Sequence, residues 1–140
     1  MKTLRGRGVV AGVAEGIALV SQERISVNLG INEQTGIVVE RGHDLEGQSV
    51  AGKILVFKGE KGSGSSSLSL FQLVRLGLGP LAIINSESGA IIAAGAALAG
   101  IPLVHRFDSD PLAAIRTGDH VCVDASTGIV QVTQQEGVMS

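Results

Sequence analysis

Lys53-Ile54-Leu55-Val56-Phe57, Lys58-Gly59-Glu60-Lys61-Gly62-Ser63-Gly64, and Ser65-Ser66-Ser67-Leu68-Ser69-Leu70-Phe71-Gln72-Leu73-Val74-Arg75-Leu76 follow one another without a break. The first segment is an apolar run of strand length. The second is a loop from Gly59 to Gly64. The third places Leu68, Phe71, Leu73 and Leu76 on an amphipathic helix, with Ser65 and Ser66 as candidate N-caps. Gly77 and Gly79 end that helix, and after Pro80 the run Leu81-Ala82-Ile83-Ile84 predicts a second buried strand.

Downstream, Ser86 or Ser88 is placed to cap a helix over Gly89–Leu98, with Gly100 as its terminator. Pro102-Leu103-Val104 suits a short strand and Pro111–Ile115 a helical turn. His120–Asp124 and Gly128–Val132 suit a hairpin around Ala125-Ser126-Thr127. Upstream, Glu15–Val20 suits a mostly buried strand and Thr35–Val39 another, with Gly30, Gly36, Gly42 and Gly47 marking turns. Strands come first, then alternating helix and strand, then a closing hairpin. This order predicts an α/β domain with β/β/α layers, a mixed sheet with a β-rich layer and two main helices, rather than a doubly wound dinucleotide fold. Residues 1–140 read as a single domain with a polar tail over about residues 134–140.

Composition narrows the function classes. Apolar residues make up 44 % and charged residues 17 %, which supports a packed core. That core is aliphatic, because Phe57, Phe71 and Phe107 are the only aromatic residues. A net charge of −2 and the scarcity of aromatic platforms argue against nucleic-acid binding. No segment approaches a membrane span, and the start has no apolar signal-like stretch. With one cysteine, Cys122, no intrachain disulfide is possible, and a cytoplasmic location is expected. One cysteine is also too few for an iron–sulfur cluster, and His43, His105 and His120 show no metal-ligand spacing, so no metal site is expected.

The Lys58–Ser67 loop is the main candidate for chemistry. Glycines let a ligand approach the backbone, and a helix N-terminus presents N–H donors and a positive dipole end to anions. A flexible Gly/Ser surface turn is the alternative. The loop is not a Walker A sequence, since no Gly-Lys-Ser/Thr opens the helix.

Lys61-Gly62-Ser63, with Ser67 four residues after Ser63, resembles the Arg-Gly-Ser-x-x-x-Ser motif of the small, swivel domain of aconitase X proteins, with Lys61 in place of the arginine. Ala14–Ser21 is similar to that family's Ala-Glu-Gly-x-Ala-Leu-Val-Ser strand. Thr35–Val38, Gly52–Val56, Gly79–Ile84 and Gly100–Val104 follow in family order. The resemblance implies a swivelling β/β/α fold. It also implies a heterodimer with an aconitase-X large subunit that holds an iron–sulfur cluster, with no cofactor on this chain alone. The expected reaction is dehydration of a small hydroxy acid, mevalonate 5-phosphate or a cis-3-hydroxy-L-proline-like compound, by a subunit inactive without its partner. It assigns the proton-abstracting base to Ser63 and matches Lys61, Gly62 and Ser67 to the rest of the motif. With Gly64 and Ser65, which the loop reading adds as shapers of an anion site, these are the expected substrate-binding residues. The modest charge content favours the hydroxyproline-like substrate.

The segment Ala90–Val104 with Ile115–Val132 also resembles the mobile phosphohistidine domain of phosphoenolpyruvate-using enzymes. Ser86-Glu87-Ser88-Gly89-Ala90 stands where the phosphorylated histidine would be, so shared architecture without that chemistry is expected. A phosphotransfer-type domain that lost its histidine and a non-catalytic binding module are the competing functions. Among the remaining residues, Cys122 reads as a core residue. His105 and Asp108 read as a polar pair or a surface turn. Glu15 reads as a site carboxylate or a turn residue, and Glu87 as a cleft residue or a helix-start charge.

Overall fold

The computed structural model describes residues 1–62 and 65–134. Residues 135–140 of the expected polar tail lie outside that range. In chain order the elements are β1 (Lys2–Arg5), β2 (Arg7–Val10), β3 (Val13–Val20), α1 (Val27–Gly30), β4 (Ile54–Phe57), α2 (Ser66–Arg75), β5 (Ala82–Asn85), α3 (Ala90–Ala99), β6 (Leu103–His105), α4 (Pro111–Ala114), β7 (His120–Asp124) and β8 (Ile129–Thr133).

The eight strands form one mixed sheet in the order β1-β8-β7-β3-β4-β5-β6-β2. β3 belongs to both halves. Its Val13–Ile17 portion pairs antiparallel with β7, and its Ala18–Val20 portion pairs parallel with β4. The parallel strands β4, β5 and β6 are buried on both faces, which explains their continuous apolar runs. One face carries Ile54, Val56, Ala82, Ile84 and Val104, which pack with Leu4, Val121, Val123, Val130 and Val132. The other carries Leu55, Phe57, Ile83 and Leu103, which pack with Leu70 and Leu73 of α2 and Ile92 and Ala96 of α3. The expected β/β/α layering follows from these two cores.

Several local expectations are corrected. β1, β2 and α1 are elements that the sequence pattern does not announce. β1 and β2 are separated by Gly6 alone, yet they pair with β8 and β6 at opposite ends of the strand order, so the sheet curls back on itself. Gly8 passes so close to the Ala125 carbonyl that no Cβ fits there. β3 is longer than expected and only half buried, with Val13, Glu15 and Ile17 exposed. Thr35–Val39 is not a strand. It makes only isolated bridges, Ile31 with Val38 and Ile37 with Ser49, because the chain turns at Gly36 and the Asn32 carbonyl accepts from the Gly36 N–H.

Candidate active-site face

The carboxyl ends of β4, β5 and β6 lie together, where ligands of parallel sheets collect. The loop leaving β4 is held there by its stem. The Lys58 N–H donates to the Glu23 carbonyl (3.2 Å), the Lys61 N–H donates to the Ile25 carbonyl (3.2 Å), and the Ile25 N–H donates to the Gly59 carbonyl (3.1 Å). The Glu87 N–H donates to the Lys58 carbonyl (3.2 Å), tying the loop after β5 to the same stem. Glu60 turns inward, and its Oε1 accepts from the Ile92 N–H at 2.7 Å in the first turn of α3. This carboxylate replaces the expected serine cap. The Ser88 hydroxyl donates instead to Asn85 Oδ1 at 2.8 Å.

Lys61 Nζ sits 2.7 Å from Glu40 Oε2 in a surface ion pair. Gly62 has φ 102°, which favours glycine, and a Cβ there would lie 2.6 Å from Ser26 Oγ, so the Ser26 side chain would have to shift. Below it, the Ser26 and Ser66 hydroxyls both donate to Asn28 Oδ1 at 3.1 Å, and the Asn28 N–H donates to Ser66 Oγ at 3.3 Å. Ser66 therefore ties α2 to α1. Ser65 occupies the cap position of α2, but its backbone is helical and its side chain makes no capping bond, which corrects the expectation of a serine cap. The Ser67 hydroxyl donates to the Ile91 carbonyl at 3.0 Å, joining α2 to α3. Ser63 and Gly64 lie outside the described residues.

Two depressions border this segment. A groove of about 730 Å³ runs between α1 and α2 past Asn28, Ser65 and Ser69. A cleft of about 360 Å³ is lined by Ser26, Glu40, Lys61 and Gly62. Leu29 lines both and is 74 % exposed, and Leu68 on the groove is 67 % exposed. Sequence reasoning singled out the loop but missed Ser26, Asn28, Glu40 and the role of Glu60. Their contacts to the loop are nonlocal and leave no periodic signal.

The remaining candidates resolve as follows. His105 Nδ1 accepts from the Ser88 N–H at 3.0 Å, while Asp108 accepts from the Arg5 N–H, so the two do not pair. Burial lowers the His105 pKa. Glu87 binds Arg106 through two nitrogens, and that hydrogen-bonded guanidinium holds its carboxyl below the usual range. Cys122 is not in the core. It is half-buried on β7 beside Glu15, and burial, then the Glu15 charge, raises its pKa. A single cysteine does not fit an iron–sulfur cluster, which takes three or four thiolates. No helix among the described residues is long and apolar enough to cross a membrane.

A curled mixed sheet, two helices on one face and a glycine loop at the carboxyl end of its parallel strands together define a swivelling β/β/α domain. The family model described as the aconitase X swivel domain matches residues 3–132. The chain belongs to that family. It is 48 % identical over 128 residues to a phosphomevalonate dehydratase small subunit of Archaeoglobus fulgidus, covering 91 % of this chain and 96 % of that one. It is 41 % identical over 130 residues to a protein of the same name from Methanocella arvoryzae, covering 93 % and 98 %. The crystal structure of Thermococcus kodakaraensis aconitase X in its holo-form superposes with a TM-score of 0.91 at 40 % identity, covering 96 % of this chain and all of that one.

Proposed function

We propose that this chain is the small subunit of a phosphomevalonate dehydratase, a hydro-lyase of the aconitase X type acting on mevalonate 5-phosphate. The observation that carries this is near full-length identity of 40–48 % to small subunits of that name. It outweighs the composition argument for a hydroxyproline-like substrate. A cytoplasmic heterodimer fits the same reading. The large subunit carries the iron–sulfur cluster and covers the apolar rim at Leu29 and Leu68.

In this reading Ser63 abstracts the proton. A serine alkoxide is unstable in water, so the base needs preorganised N–H donors and exclusion of solvent by the closing partner. The anchored stem from Lys58 to Gly62 and the start of α2 supply a rigid frame for such a site. Lys61 and Ser65 border the two depressions from either side of it.

The test is co-expression with the large subunit, followed by dehydration assays with mevalonate 5-phosphate and cis-3-hydroxy-L-proline. The complex turns over the phosphate ester and the isolated chain does not. Ser63→Ala lowers turnover by at least about 10²-fold, with assembly intact and stability changed by only about 0.5 kcal/mol. Near-normal turnover of that variant would remove Ser63 as the base and favour a non-catalytic module. Turnover of the proline alone would replace the substrate.

A further inference from the structure

The antiparallel half of the sheet brings together three groups that no local pattern links. His120 and Cys122 are alternate residues of β7 and share its outward face, opposite the buried Val121 and Val123. Glu15 is the cross-strand partner of Cys122 on β3, although 107 residues separate them. Glu15 Oε2 lies 3.0 Å from His120 Nε2 and 3.9 Å from Cys122 Sγ, and the three donor atoms all lie within 4.8 Å of one another. Donors of a tetrahedral zinc site sit at about 2.0–2.3 Å from the ion, and hence roughly 3.3–3.8 Å apart. Side-chain rotation of about 1 Å would therefore close the three around one ion.

The geometry points to a divalent transition-metal site, of the zinc class, formed by Glu15, His120 and Cys122 on the outer face of β3 and β7. One thiolate, one imidazole and one carboxylate form a donor set suited to Zn²⁺ and Co²⁺, and the sulfur disfavours Mg²⁺ and Ca²⁺. Three protein donors leave a fourth tetrahedral position for solvent. On binding, the thiol proton passes to solvent as the S–metal bond forms, with no change of oxidation state. The ion joins β3 to β7 immediately before β3 exchanges its β7 partner for β4, and so clamps the strand shared by the two halves of the sheet. It is separate from the cluster chemistry assigned to the large subunit, so failure of either inference leaves the other standing.

The other carboxylate–imidazole group, Glu23, His43 and Asp44, behaves differently. His43 is buried, its Nδ1 accepts from the Leu45 N–H at 3.1 Å, and its Nε2 donates to the Arg24 carbonyl at 3.0 Å. Both ring nitrogens are already used to hold the backbone, which leaves no lone pair for an ion.

The full-length chain, purified without a histidine tag and stripped by a chelator, is titrated with Co²⁺ under reducing conditions. One equivalent is expected to saturate a thiolate-to-cobalt charge-transfer band together with tetrahedral visible absorption, and Zn²⁺ is expected to displace it. Cys122→Ser removes the band, and His120→Ala and Glu15→Ala each weaken binding by at least about 10-fold. Glu23→Gln leaves the titration unchanged. Zn²⁺ raises the melting temperature of the wild-type chain but not of Cys122→Ser, as mass action on a folded-state site requires. Absence of the sulfur band at one equivalent would overturn the site, as would unchanged Co²⁺ affinity in His120→Ala.

Discussion

Helices α2 and α3 are both ten residues long and pack closely enough that the Ser67 hydroxyl bonds the Ile91 carbonyl across them, yet their N-termini are built in opposite ways. The start of α3 is closed. A carboxylate from Glu60 reaches its third residue from a different part of the chain. Among the described residues no side chain caps the start of α2 from Ser65, which borders the groove past Asn28 and Ser69. One loop, Lys58–Ser65, serves both ends. Its stem directs the Glu60 carboxylate to α3, and Ser65 stands at the start of α2. A positive helix end already neutralised by a carboxylate cannot be offered to an anion, whereas one left beside a groove can. The difference separates the structural helix from the one that carries the candidate site.

The largest effect that breaks this contrast is expected at Gly62. Gly62→Ala places a side chain at φ 102° and against Ser26 Oγ. It should cost about 2 kcal/mol of stability, together with activity of the reconstituted complex. Chemical denaturation of Gly62→Ala and of Gly62→Ala with Ser26→Ala separates the two causes. The double variant recovers the part due to the clash and keeps the backbone strain. Full recovery would mean that φ at this position carries no cost.

A smaller loss is expected from opening the closed helix. Glu60→Ala removes the charge-assisted cap of α3 and should cost about 1–2 kcal/mol. Glu60→Gln keeps an acceptor without the charge and should lose roughly half as much. Amide hydrogen exchange in the first turn of α3 is the direct readout, with Ile92 exchanging faster in both variants. Unchanged protection at Ile92 would show that Glu60 does not cap the helix.

The smallest effect sharpens the comparison from the other side. Ser65→Ala removes a hydroxyl that caps nothing, so stability should stay within about 0.5 kcal/mol of wild type, in contrast to the loss of about 1 kcal/mol typical of a serine N-cap. Thermal melts decide between them. A loss of cap size would restore Ser65 to the capping role that its sequence position suggests.

What is legible in the sequence follows from short-range physics. The strand–loop–helix run from Lys53 to Leu76, the Ala-rich helix ending at Gly100 and the closing β7–β8 hairpin are each set by apolar periodicity and turn residues within a few positions. The family motif likewise lies in one contiguous stretch, so Lys61, Gly62, Ser63 and Ser67 stand out from the order of residues alone. The tertiary structure decided the rest. Lys2–Val10 has no strand period of its own, and it becomes two strands only because β8 and β6 offer unpaired edges on either side of Gly6. Thr35–Val39 has a strand composition and fails to form one, because its backbone groups are divided between a turn at Asn32–Gly36 and isolated bonds to Gly30, Gly47, Gln48 and Val50. The replacement of a local serine cap by Glu60, the Asn28 platform beneath Gly62 and the meeting of Glu15 with Cys122 all depend on groups far apart in the chain. Such contacts form only when the folded core places two backbones within side-chain reach, and the energy that selects them is the burial of the core around them rather than any preference of the residues themselves.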